Sequence, residues 1–250
     1  MLKQLSEDGI STATCDVCSQ DSVDACIAGI LQQAGSIDVL INNAGVQATG
    51  PLVEQPIEYF QQVMDTNLTG AVRMTQAVVP AMLARGRGLV VNICSVSSYV
   101  DLPLSAVYCA SKVALLSVTN CLRMEVQPLG VHVLAVTAGL IESEIRNNNK
   151  CDFDRYYGST SAYHSIADAI QKRMDILAKD RPIIMSAQEA AEAIAAAIMR
   201  KKPPRELVTG GKARLALLGG FIQKWVWPEF VEGKFTRMFG LQGLRPVARS

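Results

Sequence analysis

The chain has 250 residues, 49% of them hydrophobic and 19% charged, which suits one substantial buried core and a single α/β domain. Its formal net charge of +1 sets up no long-range field, so nucleic acid is an unexpected partner. Seven cysteines, at positions 15, 18, 26, 94, 109, 121 and 151, lack the spacing of a disulfide framework and read as reduced thiols of a reducing compartment.

In chain order, β-branched and apolar runs predict strands over Ile10–Val17, Val39–Ile41, Leu89–Ile93, Val131–Thr137 and Glu206–Thr209. Helical patterns fall between them at Asp21–Gln33, Pro56–Arg85, Ser105–Gln127, Ile166–Ala178 and Ala187–Arg200. Strand-helix alternation implies a parallel sheet with helices on both faces. In the long helix after Ser105, Val113, Leu116, Cys121, Leu122 and Met124 are expected to face the sheet, and Gly130 to end it. The Cys15–Cys18 CxxC has no second pair, and His132 (strand) and His164 (loop) stand in no ligand-spaced motif, so no metal site is expected. Nothing at Met1-Leu-Lys-Gln-Leu resembles a signal peptide, and no apolar run of ~20 residues is present.

Tyr108 and Lys112 are four residues apart, on one helix face, with Ser95 thirteen positions before the tyrosine and Asn67 earlier still. A phenol titrating near ~10 is a poor acid-base catalyst near neutrality unless a positive charge stabilises its anion, and a lysine one turn away supplies that charge. Upstream, Asn42-Asn43-Ala44-Gly45 closes a strand at its C-terminal end, where open α/β sheets bind ligands. In this order and spacing, together with Asp65-Thr-Asn-Leu-Thr-Gly70 and Val91-Asn-Ile-Cys-Ser95, these motifs resemble the short-chain dehydrogenase/reductase family over about residues 10 to 209.

The resemblance implies a Rossmann-type doubly wound parallel sheet and hydride transfer between a nicotinamide cofactor and a carbonyl. Tyr108 is implied as proton donor, with Ser95 bonding the same oxygen in preference to Ser97 or Ser98. Lys112 is implied to lower the Tyr108 pKa and hold the nicotinamide ribose, and Asn67 to anchor a water leading to solvent. Cofactor-binding residues are implied at Asp16 near adenine, at Asn43, Ala44 and Gly45, at Tyr108 and Lys112, at Gly139, and at Ser143 beside the nicotinamide amide. Ala138 replaces the family's proline before Gly139, a change expected to loosen that loop. Asn67-Leu-Thr69 also spells a glycosylation sequon, expected to be coincidental on a buried helix.

One element of the family pattern is missing. No TGxxxGxG turn, which would hold the pyrophosphate on a helix N-terminus, occurs in the 250 residues. The first two strands are therefore expected to be lacking, leaving open ladders on two buried strands and implying a truncated domain over 1–210. Leu140–Arg146, Tyr156, Tyr157, Tyr163 and the tail ending at Leu241 resemble NADPH-dependent 1-acyldihydroxyacetone-phosphate reductases. That implies NADPH, with NAD as the alternative, and a lipid-like ketone reduced on the route to phosphatidic acid. Arg146, Lys150 and Arg155 are then candidates for its phosphate, with solvated surface charge as the competing view. A hydroxysteroid or retinol-type dehydrogenase and a non-catalytic scaffold are the alternatives. The family also implies a homo-oligomer.

Residues 211–250 form a distinct tail in which Leu215, Leu218, Ile222 and Trp225 share a helical face beside Lys212, Arg214 and Lys224. Two expectations stand for it, a lid over the substrate pocket or a segment lying in a membrane interface. Localisation is accordingly expected to be cytoplasmic, with peripheral attachment to endoplasmic reticulum or lipid droplets left open.

Overall fold

The structure, a computed structural model, describes residues 9–145, 153–179 and 184–244. Four parallel strands form one sheet in the order β1 (Val39–Asn42), β2 (Gly88–Ser95), β3 (Val131–Ala138), β4 (Glu206–Thr209). β2 and β3 are nearly continuous apolar runs because both their faces are covered. In the register, Asn42 pairs with Asn92, while Ser95, Ala138 and Thr209 line up side by side. Ser95, Ala138 and Thr209 thus end their strands along a common carboxyl edge, with Asn42 ending β1 one strand over.

The helices are α1 (Gln20–Ala34), α2 (Ile57–Met64), α3 (Gly70–Arg85), α4 (Ala106–Val126), α5 (Phe153–Tyr157), α6 (Ala167–Lys179), α7 (Ala187–Ile198), α8 (Ala213–Phe221) and α9 (Pro228–Met238). Ser19 caps α1 by accepting the Ser22 N–H, and Ser186 and Glu189 form a reciprocal capping box on α7. On one sheet face, Val23 and Ile27 of α1 and Val78, Val79 and Met82 of α3 pack on Leu40, Val90 and Val133. On the other, Ala197 of α7 packs on Leu89, Val91, Leu134 and Val136. A separate core joins Tyr156 and Tyr157 of α5, Ile166, Ile170 of α6, Leu104 and Phe239. The tyrosines of that segment are therefore among the most deeply buried side chains of the protein.

Several expectations are corrected. Residues 10–17 form no strand, although they are rich in β-formers, because a strand exists only by sharing a ladder and no neighbour lies alongside. The segment is instead pinned at its end: Arg73 Nη1 donates to the Val17 carbonyl at 3.1 Å, and Gly70 lets Val17 lie where any Cβ would sit 2.8 Å from its Cγ2. β1 does have a ladder open on one side, since among the described residues it pairs only with β2, but it is not a fully buried strand. It is the sheet edge, with Leu40 and Asn42 buried and Val39 and Ile41 exposed on the other face.

The helix expected over Pro56–Arg85 is interrupted by one π turn at Asp65–Thr69, where the Gly70 N–H reaches back five residues to the Asp65 carbonyl. The inward face of α4 is also rotated from expectation. Of the five residues expected inward, Leu116 is buried and Leu122 packs on the core, but Val113, Cys121 and Met124 are exposed, while Val107, Ser111, Lys112, Leu115, Thr119, Arg123 and Val126 are buried. The inward face carries four polar side chains, so counting apolar residues alone selects the wrong phase. Each polar group has a partner: Arg123, for instance, donates from Nε to the Val133 carbonyl at 2.8 Å and from Nη2 to the Arg205 carbonyl at 2.8 Å. His164 lies in a short 3₁₀ turn rather than an open loop.

Candidate active site

Ser95 ends β2 in extended backbone, and its Oγ accepts the Ser97 N–H at 3.1 Å. The chain then folds back through residues 96–105 into α4. That return passes through Leu104, which adopts φ 63°, a left-handed conformation that costs an L-residue roughly 1–2 kcal/mol and is held here by burial of its side chain. Nothing in the sequence marks Leu104 for this role. The fold-back brings Tyr108, on the first turn of α4, near enough to Ser95 for that side chain to act on its phenol. Ser98, the competitor for the serine role, instead donates its hydroxyl to the Lys112 carbonyl at 2.8 Å.

Lys112 lies one turn after Tyr108, its Nζ 5.8 Å from the phenol ring centroid and 2.8 Å from the Ile93 carbonyl, to which it donates. Asn67 sits in the π turn and is buried. Its Oδ1 accepts the Val46 N–H at 2.8 Å, and its Nδ2 donates to the Val46 carbonyl at 2.9 Å and to Ser111 Oγ at 3.0 Å. Both amide protons are engaged, so the side chain positions the loop after β1 and has no donor left for a water. π turns often mark functional sites, because the extra residue re-aims one side chain. A second buried chain runs from Asn42 Nδ2 to Asn92 Oδ1 at 2.8 Å and from Asn92 Nδ2 to Thr119 Oγ1 at 2.8 Å, tying β1, β2 and α4 together beneath the site.

Burial pushes the Tyr108 phenol above its ordinary value, and the nearby Ser95 side chain draws it partly back. Burial also pushes the Lys112 ammonium below its usual range. The side chain that favours the phenolate is thus Ser95, whereas the sequence assigned that effect to Lys112. The reason is orientation: the ammonium is turned onto the Ile93 carbonyl. Cys94, beside this pair, is raised to about 11, burial outweighing the lowering effect of Lys112.

The cofactor-side residues divide into two groups. Gly45 lies against the catalytic cluster, where a Cβ would stand 3.4 Å from Asn67 Oδ1 and 3.7 Å from Lys112 Nζ. Asp16 and Ala44 line one cavity of about 1010 Å³ with Val17, Phe60, Thr66 and Thr69, bringing the segment after residue 15 together with the end of β1. Phe60 was not marked by the sequence, and Thr66 entered only as part of the Asp65–Gly70 run. Asn43 follows β1 and is exposed, as is Ser143. Gly139 directly follows β3, its N–H donating to the Thr209 carbonyl at 2.7 Å. A Cβ there would meet the Gly211 carbonyl at 2.6 Å, so the turn after Ala138 is pinned to the end of β4 rather than loosened. Arg146 and Lys150 lie outside the described residues, while Arg155 is on α5.

These residues fit the two ends of a dinucleotide. The bare Gly45 backbone beside an ammonium suits ribose hydroxyls, and the cavity between Asp16 and Ala44 suits a planar base. The chain offers no glycine-rich turn for the pyrophosphate between them. A second cavity of about 750 Å³ lies between α4 and the tail, lined by residues such as Cys109, Val113, Gln223 and Phe235 and not by Tyr108 or Ser95.

The short chain dehydrogenase family profile matches residues 1–152. Dehydrogenase/reductase SDR family member 7B of Danio rerio is 35% identical over 167 residues, 66% of this chain and 54% of that protein. The NADPH-dependent 1-acyldihydroxyacetone phosphate reductase of Schizosaccharomyces pombe is 37% identical over 147 residues, 58% of this chain and 49% of that protein. The chain spans about half the length of these relatives. Among solved structures, a short-chain dehydrogenase from Streptomyces avermitilis superposes with a TM-score of 0.69 at 25% identity, covering 96% of this chain and 84% of that one. A gluconate 5-dehydrogenase from Burkholderia cenocepacia, in complex with NADP and tartrate, gives a TM-score of 0.54 at 31% identity over 68% of this chain and 64% of that one. The profile spans more than half of the residues and the sheet superposes on solved members, so the chain belongs to the short-chain dehydrogenase/reductase family, whose members are NAD(P)-dependent oxidoreductases.

Proposed function

We propose that the chain is an NADPH-dependent oxidoreductase that reduces the ketone of a lipid-like substrate of the 1-acyldihydroxyacetone phosphate type. The observation that carries this reading is the gathering of Ser95, Tyr108 and Lys112 at the carboxyl edge of the sheet, with Ser95 acting on the phenol and Lys112 Nζ 5.8 Å from its ring. A nicotinamide, when bound, supplies the hydride. Tyr108, kept neutral by burial, is the acid that protonates the oxygen of the reduced carbonyl. Ser95 donates to the same oxygen as negative charge builds on it. Lys112, its Nζ 5.8 Å from the phenol ring, offers its ammonium to ribose hydroxyls. Asn67 is a positioning residue, fixing Val46 and hence Gly45 against Lys112.

The lipid-like substrate is supported by the likeness to the fission-yeast reductase and by the apolar core of α5, α6 and α9 beside the site. A panel of an acyl ketone phosphate, a steroid ketone and retinal, with NADPH or NADH oxidation followed optically, tests it. Preference for the acyl ketone phosphate with NADPH agrees with the proposal, and preference for either of the others refutes the substrate class. A non-catalytic scaffold is the competing reading. Titrating NADPH into the 250-residue chain and following nicotinamide fluorescence separates it, since a scaffold gives no saturable change.

A further inference from the structure

Helix α8 and the π turn that continues it (Ile222–Val226) are packed inside out. Ala213, Gly220 and Gln223 are the side chains buried against the domain. Gly220 lies so close to the Tyr99 carbonyl that a Cβ would stand 2.3 Å from its oxygen. Gln223 fixes the orientation by accepting the Asp101 N–H at 3.1 Å and donating to the Asp101 carbonyl at 3.2 Å. With small and polar residues turned inward, the large apolar ones are turned out. Leu215 is 64% exposed, Leu218 56%, Phe221 58%, Trp225 78%, Val226 62% and Trp227 58%. Ordinary helices do the reverse, and a contiguous apolar surface of this kind marks a place where something else packs.

Charge identifies the occupant. From Leu207 to Pro228 the chain has no acidic residue, while Lys212, Arg214 and Lys224 are exposed along the same stretch. Two tryptophans between cations and leucines suit the boundary between headgroups and acyl chains, where an indole keeps its N–H wet and its ring dry. Among the described residues no helix is long and apolar enough to cross a membrane. We propose that this face is an interfacial docking surface for an anionic lipid bilayer, lying in its plane with Leu218, Phe221 and Trp225 inserted. The proposal is independent of which ketone the site reduces. It has a structural consequence for that site, because the docked helix is tied through Tyr99 and Asp101 to the loop joining Ser95 to Tyr108.

Trp225 and Trp227 are the protein's two tryptophans, so intrinsic emission reads the docking face alone. The intact chain is mixed with vesicles of phosphatidylcholine, with and without phosphatidylglycerol, some carrying brominated acyl chains. The expected result is co-sedimentation with anionic vesicles, a shift of emission to shorter wavelength and quenching by the brominated lipid. Replacing Lys212, Arg214 and Lys224 together by alanine should weaken partitioning on the order of a hundredfold. Leu218→Ser with Phe221→Ser should abolish quenching while leaving the unfolding midpoint unchanged, since both side chains are exposed. Emission that stays unshifted and unquenched with both vesicle types overturns the proposal. So does a lipid-free dimer, seen by light scattering, that the Leu218→Ser, Phe221→Ser chain no longer forms, which would make a second copy the occupant.

Discussion

Asn67 holds Val46 by both backbone groups, accepting its N–H at 2.8 Å and donating to its carbonyl at 2.9 Å. This pair sets the distance between the loop after β1 and the start of the site, because Gly45 precedes Val46 and lies against Lys112. Replacing Asn67 with alanine leaves the Val46 N–H and carbonyl without their partner in a half-buried setting, which costs about 1–3 kcal/mol. Chemical denaturation should show the loss. Because Asn67 positions the loop rather than reacting, cofactor affinity should fall with stability, and an unchanged unfolding midpoint would argue against the clamp.

The Ser95 hydroxyl exerts the pull that draws the Tyr108 pKa downward. Ser95→Ala removes it, so the phenol should titrate at still higher pH. In alcohol oxidation the phenolate is the base, and the rate rises as pH passes the Tyr108 pKa; in Ser95→Ala that rise should move to more alkaline pH. In ketone reduction the neutral phenol is the acid, present below the pKa, so the decline at high pH should also move upward. The rate itself should fall roughly 10²–10³-fold through loss of a donor to the developing oxyanion. A pH profile shifted toward neutrality would contradict the assignment.

Gly45 tests the ribose end of the proposed cofactor site. An alanine Cβ at 3.4 Å from Asn67 Oδ1 and 3.7 Å from Lys112 Nζ is tolerable, whereas valine adds two methyl groups in the same space. Gly45→Val should raise the NADPH Kd about tenfold or more, and Gly45→Ala should change it little. Isothermal titration of the three chains gives the answer, and equal affinities for all three would remove Gly45 from the cofactor site.

The sequence made β2 and β3 legible because their apolar runs match strands shielded by neighbours, and the ordered motifs that resemble the family pointed to the Ser95, Tyr108 and Lys112 set. It could not show that residues 10–17 lack a strand, because strand formation depends on what lies alongside and not on Ile and Thr content. The rotation of α4 was hidden because Ser111, Lys112, Thr119 and Arg123 are inward-facing polar groups whose partners come from distant strands and loops. The π turn at Asn67 and the left-handed Leu104 carry no compositional signal: each is imposed by the packing around it. In the tail, the helical face was legible from Leu215, Leu218 and Trp225, but its outward direction is set by Gly220 and Gln223.

The central claim is that Tyr108 is the proton donor in carbonyl reduction, and Tyr108→Phe tests it most directly, since it deletes one hydroxyl and keeps the ring. NADPH oxidation by the two chains with an acyl ketone substrate should differ by about 10²–10⁴-fold in kcat, with NADPH Kd nearly unchanged. A Tyr108→Phe chain that turns over at the rate of the parent would contradict the account.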